Sequence, residues 1–298
     1  MVRPFAKLER VQNSEFIDVS RGEPAYPAVD PPVYEPTPND PPWNSWAAFG
    51  VWVVSVLLIL ILPSLFLIPY LVSSGIQMGG NEDLKVFATS DPTAVVLQLS
   101  SIIPAHLLTL LLSWLVITRI RKYGFFKTLG FEMGGYKWWH IAFILLGIFG
   151  AVIIVGSIFP EQDNDIIKML RSSRYAVYLI TILATFTAPI VEEVVYRGIL
   201  FPAFQRSRGT AAAVGIVTIM FAGVHFLQYW GSPGTIILIT FLSLVLTLVR
   251  STSRNLLPCI ILHFLFNGAQ SILILQQSFD SKIPVTDPVT AVLRMLVQ

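Results

Sequence analysis

Six residues of this chain have types and spacings that could do chemistry together: Glu192, Glu193, Arg197, His225, His263 and Asn267. The two glutamates are adjacent within an otherwise apolar stretch, and Arg197 follows four residues after Glu193. Two later apolar stretches carry Phe221 with His225 and His263 with Asn267, each pair again four apart. Residues four apart share one face of an α-helix. Adjacent residues are turned about 100° from each other, so Glu192 and Glu193 cannot do the same job. The division we expect gives Glu193 to Arg197 as a structural ion pair and leaves Glu192 facing a cavity. Three helices would then bring a carboxylate, a histidine and a histidine–amide pair into an apolar shell. That set suits hydrolysis. The carboxylate serves as general base toward a water that His225 holds and orients. The His263 imidazole and the Asn267 amide are donors suited to a developing oxyanion, worth about 2.7–4 kcal/mol each.

Each feature also has a plainer explanation. Glu193 and Arg197 could form a surface ion pair worth about 0.3–0.5 kcal/mol. His225 could be an interfacial histidine beside Tyr229 and Trp230, and His263 and Asn267 could be interhelical hydrogen-bond partners worth about 0.6 kcal/mol. A charge at the bilayer centre costs about 2.5–3.5 kcal/mol. Two consecutive glutamates in an apolar span therefore need a reason, and three coincidental plain explanations are the weaker account. Pro189, just before the glutamates, cannot donate to the Thr185 carbonyl and should loosen the helix there.

The elements that must position these residues follow from composition. The chain has 298 residues, 54% hydrophobic and only 13% charged, with mean hydropathy +0.68. Soluble domains carry about 25% charged residues, so the chain reads as an all-α, polytopic transmembrane helical bundle. Apolar runs place about seven spans at 46–72, 94–117, 138–159, 175–200, 210–227, 235–249 and 256–275. Pro63 and Pro69 suggest a kink in the first span. His106, in the second, is expected to be buried and satisfied by a neighbouring helix. Residues 285–298 are short for a crossing and are placed at the interface; an eighth span results only if they cross. The expected organisation is a disordered, proline-rich cytoplasmic tail over 1–42, two spans and a basic loop over 43–137, a catalytic helical core over 138–275, and a tail or interfacial segment over 276–298.

Charge gives the orientation. One set of loops holds Arg119, Arg121, Lys122, Lys127, Lys137, Arg206, Arg208, Arg250 and Arg254, the other Lys85, Lys168, Arg171 and Arg174. The positive-inside rule puts the N-terminus in the cytoplasm and the glutamates near the cytoplasmic end of their span, in what we expect to be a bacterial plasma membrane. A net charge of +2 argues against a nucleic-acid partner. A single cysteine, Cys259, excludes an intrachain disulfide framework and a zinc–thiolate cluster.

Glu192-Glu193-Val-Val-Tyr-Arg197 resembles the EExxxR motif of the CAAX protease and bacteriocin-processing family, the type II CAAX prenyl endopeptidases and their relatives. Phe221 through His225 is similar to that family's FxxxH, and His263 through Asn267 to its HxxxN; the resemblance covers about 140–275. It implies an intramembrane glutamate-type endopeptidase. Glu192 and His225 would activate water, and His263 and Asn267 would stabilise the oxyanion. Glu193 and Arg197 would support the site, with Phe221 packed beside it. The implied partners are the lipid bilayer and a peptide or protein substrate near the membrane, prenylated if the family name holds here. A metal-free mechanism is favoured; Zn²⁺ on Glu192, His225 and His263 is the alternative if the imidazoles converge. HExxH, GxGD and GxSG are absent, so other intramembrane protease classes find no support. The competing classes are a proton- or ion-coupled transporter and an inert membrane scaffold or immunity-type protein.

Overall fold

The structure, a computed structural model, describes residues 34–75, 79–159 and 164–280, which are almost entirely helical. Ten helical segments follow in order: α1 Ser45–Ser74, α2 Asn81–Ser90, α3 Pro92–Thr118, α4 Phe125–Leu129, α5 Trp138–Ile158, α6 Asp165–Ser172, α7 Arg174–Arg208, α8 Thr210–Gln228, α9 Pro233–Ser253 and α10 Leu257–Asp280. Six of them (α1, α3, α5, α7, α9 and α10) are long and apolar enough to cross a membrane, and α8 is a shorter apolar helix. This is the expected polytopic bundle, an integral membrane protein. The stretch 285–298 lies outside the described residues.

Local chemistry sets the helix ends. The Asn44 side chain accepts the Ala47 N–H at 2.9 Å to start α1, which stops at Gly75 with φ 63°. The Asp91 carboxylate accepts the Ala94 N–H at 2.8 Å to start α3, with Pro92 as its first residue, where a missing N–H costs nothing. Pro63 and Pro69 lie within the uninterrupted helical run of α1, so the expected kink is not a break in the helix.

The crossing helices alternate between two ends of the bundle. Ser45 bonds the Ala203 carbonyl at 3.1 Å, Tyr136 bonds Thr252 at 2.8 Å, and the Leu256 N–H reaches the Gly130 carbonyl at 2.8 Å. These contacts gather the loops rich in Arg and Lys at one end, the basic end. At the opposite end Lys85 pairs with Asp165 at 3.5 Å, and Asn164 donates to Ser232 at 3.3 Å.

α7 is the axis of the molecule. Every residue from 193 to 203 is buried, packed against Trp43, Val51, Ile117, Leu129, Val217 and Leu256. A second cluster joins Ile141 and Ile148 of α5 to Leu246 of α9 and Leu262 and Phe266 of α10. Large apolar side chains such as Leu60, Leu146 and Ile153 are exposed on the perimeter, the pattern of helices solvated by lipid.

Two expectations need correction. Composition predicts a disordered tail up to residue 42; residues 1–33 lie outside the described part, but 36–43 are a docked strap. Pro36, Pro41, Pro42 and Trp43 are buried, and Trp43 donates its indole N–H to the Ile199 carbonyl at 3.0 Å. The fourth span does not end at 200: the helical path runs on through Pro202 to Arg208.

Candidate active site

α7 is not a uniform α-helix. Leu183–Thr187 and Val194–Leu200 are π-helical, and each of these turns is followed by a proline in the first turn of the next α-segment, Pro189 and Pro202. The Ala188 N–H bonds back five residues to the Leu183 carbonyl. The Ala184 carbonyl thereby loses its four-residue donor, and Pro189 offers no N–H as a five-residue one. Asn267 of α10 fills the vacancy, donating its amide to the Ala184 oxygen at 2.8 Å. The second turn repeats the arrangement. The Phe201 N–H bonds to the Tyr196 carbonyl, Pro202 has no N–H, and the Arg197 carbonyl takes the Arg250 Nε–H at 3.1 Å. Buried carbonyls without donors are costly, so each π-turn needs its side-chain partner. Pro189 does loosen the helix as expected, but the π register moves the orphaned oxygen from Thr185 to Ala184.

Between the two π-turns sit the glutamates. Glu193 and Arg197 are completely buried and paired at 2.8 Å. The guanidinium is saturated further: Nε donates to Thr247 Oγ1 at 3.2 Å, and Nη2 to Ser243 Oγ at 2.8 Å and its carbonyl at 3.0 Å. The face of Phe221 lies 4.8 Å from the guanidinium carbon, a cation–π contact. The expected structural ion pair is therefore present, but Glu193 does more. The same Oε1 accepts the His263 Nδ1–H at 2.8 Å, while Oε2 is buried without a hydrogen-bond partner. The other nitrogen of that ring, Nε2, lies 3.7 Å from Glu192 Oε2. Arg197, Glu193, His263 and Glu192 thus form one line from the core outward, and its outer end, Glu192, with 23% of its side chain exposed, reaches open space.

That space is a cavity of about 750 Å³, lined by Glu192, His225, His263 and Asn267 among others. His225 donates Nδ1–H to the Phe221 carbonyl at 2.8 Å and stacks on the Phe221 ring at 4.7 Å. A carbonyl only accepts, so the proton on Nδ1 is fixed, and in the neutral ring Nε2 carries the lone pair. His106 is buried and bonded to Thr187 at 2.9 Å, as expected, and also forms part of the wall. All four proposed chemical groups share this cavity; of the three supporting residues Phe221 also lines it, and Glu193 and Arg197 are buried behind it. Among the described residues no three His, Cys, Asp or Glu side chains converge as a metal-ligand set.

The depth of the site differs from expectation. Glu193 is 15 positions before the basic end of α7 at Arg208 (208 − 193), about 22 Å at ~1.5 Å per residue. The cavity wall includes Ile166, Gln228, Tyr229 and Thr235, which belong to the opposite end of the bundle. The site therefore does not lie near the basic end.

Residues 174–269 match the sequence family described as Type II CAAX prenyl endopeptidase Rce1-like. No curated protein and no solved structure gives a significant match to the chain. The match covers 96 of the 298 residues (269 − 174 + 1) and is a likeness of that segment to a family of CAAX prenyl endopeptidases. The matched segment contains every residue singled out from the motifs, whereas Trp52, His106 and Val152 of the cavity wall come from α1, α3 and α5 outside it.

Several members of the arrangement are not identified by the motifs. Ser243 and Thr247 are a polar pair four apart on an apolar span, a signal that was present. Ser271 continues the His263–Asn267 face and bonds Thr185 at 2.8 Å. The Glu193–His263 bond joins residues 70 apart and has no local signal.

Proposed function

We propose that this chain is an intramembrane endopeptidase that hydrolyses a peptide bond with water activated by Glu192 and His225. The observation carrying this reading is the buried line Arg197–Glu193–His263, which ends at the one glutamate open to the cavity. A fixed ion pair behind a histidine orients that histidine without reorganisation during the reaction.

In the proposed sequence, a water in the cavity gives one hydrogen bond to His225 Nε2 and its proton to Glu192 as the oxygen attacks the carbonyl carbon. The oxyanion accepts from the Asn267 amide hydrogen not used on Ala184 and from His263 Nε2. Because Glu193 holds Nδ1–H, a donor at Nε2 requires both ring nitrogens protonated, a charge that Glu192 and Glu193 flank. Collapse of the intermediate breaks the C–N bond, and the proton on Glu192 passes to the leaving amine. Glu193 and Arg197 are positioning residues here, and Phe221 fixes both His225 and the guanidinium by stacking.

The substrate we propose is the C-terminal region of a prenylated CAAX protein. The cavity supports this with apolar walls beside the polar site: Trp52, Val56, Ile59 and Leu60 of α1 and Leu99 and Ile102 of α3. The test offers purified protein in nanodiscs a farnesylated CAAX peptide and the same peptide without lipid, with products read by mass spectrometry in ¹⁸O-water. Cleavage of the lipidated peptide with one ¹⁸O in the new carboxylate supports the reading. Equal cleavage of both peptides removes the prenyl requirement, and no cleavage of either by folded protein refutes the proposal.

A further inference from the structure

Arg250 of α9 is buried, yet each of its three hydrogen-bond acceptors is a neutral oxygen. Nε donates to the Arg197 carbonyl at 3.1 Å, Nη1 to Asn39 Oδ1 at 3.1 Å, and Nη2 to the Pro38 carbonyl. Its guanidinium carbon lies 5.5 Å from the ring of Phe201. A buried guanidinium without a carboxylate partner needs a reason beyond charge pairing. The acceptors supply one. The Arg197 carbonyl is the oxygen that the second π-turn and Pro202 leave without a backbone donor, and Pro38 and Asn39 belong to the strap.

We infer that Arg250 is a positioning residue for the candidate site: it completes the π-turn that carries Arg197 and locks that turn to the N-terminal strap. A π-turn holds one residue more than the α-helical path it interrupts, so relaxing it to α would rotate one side against the other by about 100°. The far side of the turn is held to the strap by other side chains. Arg206 donates to the Pro41 and Trp43 carbonyls, each at 2.6 Å, and Trp43 donates to the Ile199 carbonyl at 3.0 Å. Arg119, at the left-handed end of α3, donates to the Pro42 carbonyl. With Phe201–Arg208 anchored in this way, loss of the π register moves the other side, which carries Glu192 and Glu193. Arg250 touches neither glutamate; it acts through the Arg197 backbone, and the Arg197 side chain holds Glu193 on His263.

The test uses the full chain in nanodiscs with two readouts, and only the kinetic one rests on the protease reading. Amide exchange is followed in peptides covering 194–204, and cleavage is followed as kcat and KM. Arg250→Met should raise exchange in that segment and lower kcat at least tenfold, with KM changed less than threefold. Arg250→Lys retains a charge for the strap but cannot present the fork and Nε together, and should fall between. The deciding variant is Arg250→Met with Pro202→Ala, because alanine in place of the proline restores a backbone N–H within reach of the Arg197 carbonyl. It should recover protection and most of kcat. A role confined to docking the strap would not be rescued from Pro202. Failure of the double variant to recover, with protein folded by size exclusion and melting, overturns the proposal, as does unchanged exchange in either single Arg250 variant. If Arg250→Met does not fold, the Lys variant with and without Pro202→Ala decides in the same way. Absence of cleavage by wild type would sink the protease reading alone, since the exchange comparison still stands.

Discussion

Replacing Arg197 by methionine separates what the buried ion pair does for stability from what it does for the site. At 2.8 Å the gross attraction between Arg197 and Glu193 is about 6 kcal/mol with an effective dielectric constant of ~20. Most of this offsets desolvation of the two groups. Removing only the cation strands a carboxylate that has no exposure to water, for which the expected loss is about 3–5 kcal/mol. Arg197→Met should therefore unfold far more readily, with a melting temperature lower by roughly ten degrees in a detergent thermal-shift assay. Glu193→Gln combined with Arg197→Met removes both charges and should recover most of that loss. It should not recover cleavage, because His263 Nδ1–H then faces a neutral amide, and the rate should stay down on the order of 10²-fold. The reasoning is refuted if Arg197→Met is as stable as wild type, if the double variant is no more stable than the single, or if the stable double variant cleaves at the wild-type rate.

Asn267→Ala should orphan the Ala184 carbonyl and cost about 1–3 kcal/mol in the same thermal assay, and adding Pro189→Ala should return stability by supplying a backbone N–H; cleavage stays low in both if the amide also serves the oxyanion. Cysteines placed at Gln228 and Thr235 report which side of the membrane the cavity faces. With the basic end in the cytoplasm, a membrane-impermeant maleimide should label both in intact cells but reach Arg208→Cys only after permeabilisation. The reverse labelling pattern would invert that orientation.

The helices were legible because lipid-facing spans announce themselves as long apolar runs, and the motif residues were legible because four-residue spacing survives on any helix. What the spacing could not carry was register. Whether α7 is α or π near Pro189 and Pro202 depends on donors from Asn267 and Arg250, which lie 83 and 53 positions from the carbonyls they serve. The strap reads as disordered from its sequence for a related reason. Proline-rich composition predicts no internal hydrogen bonds along most of it, but its carbonyls are met by Arg119, Arg206 and Arg250 from three different helical elements. The depth of the glutamates was hidden because 201–208, with Pro202, Gln205 and two arginines, has the composition of a loop. In the fold it is the last two turns of α7.

The central claim is that Glu192 activates water, and it is tested most directly by one comparison of wild type with Glu192→Gln in nanodiscs on a farnesylated CAAX peptide, each with and without a strong chelator. Glu192 is the partly exposed end of the buried line, so the variant should retain the wild-type melting temperature. The account predicts cleavage by wild type regardless of chelator and none by Glu192→Gln. Cleavage by folded Glu192→Gln at a rate near wild type would contradict it, and loss of wild-type activity with chelator would contradict its metal-free form.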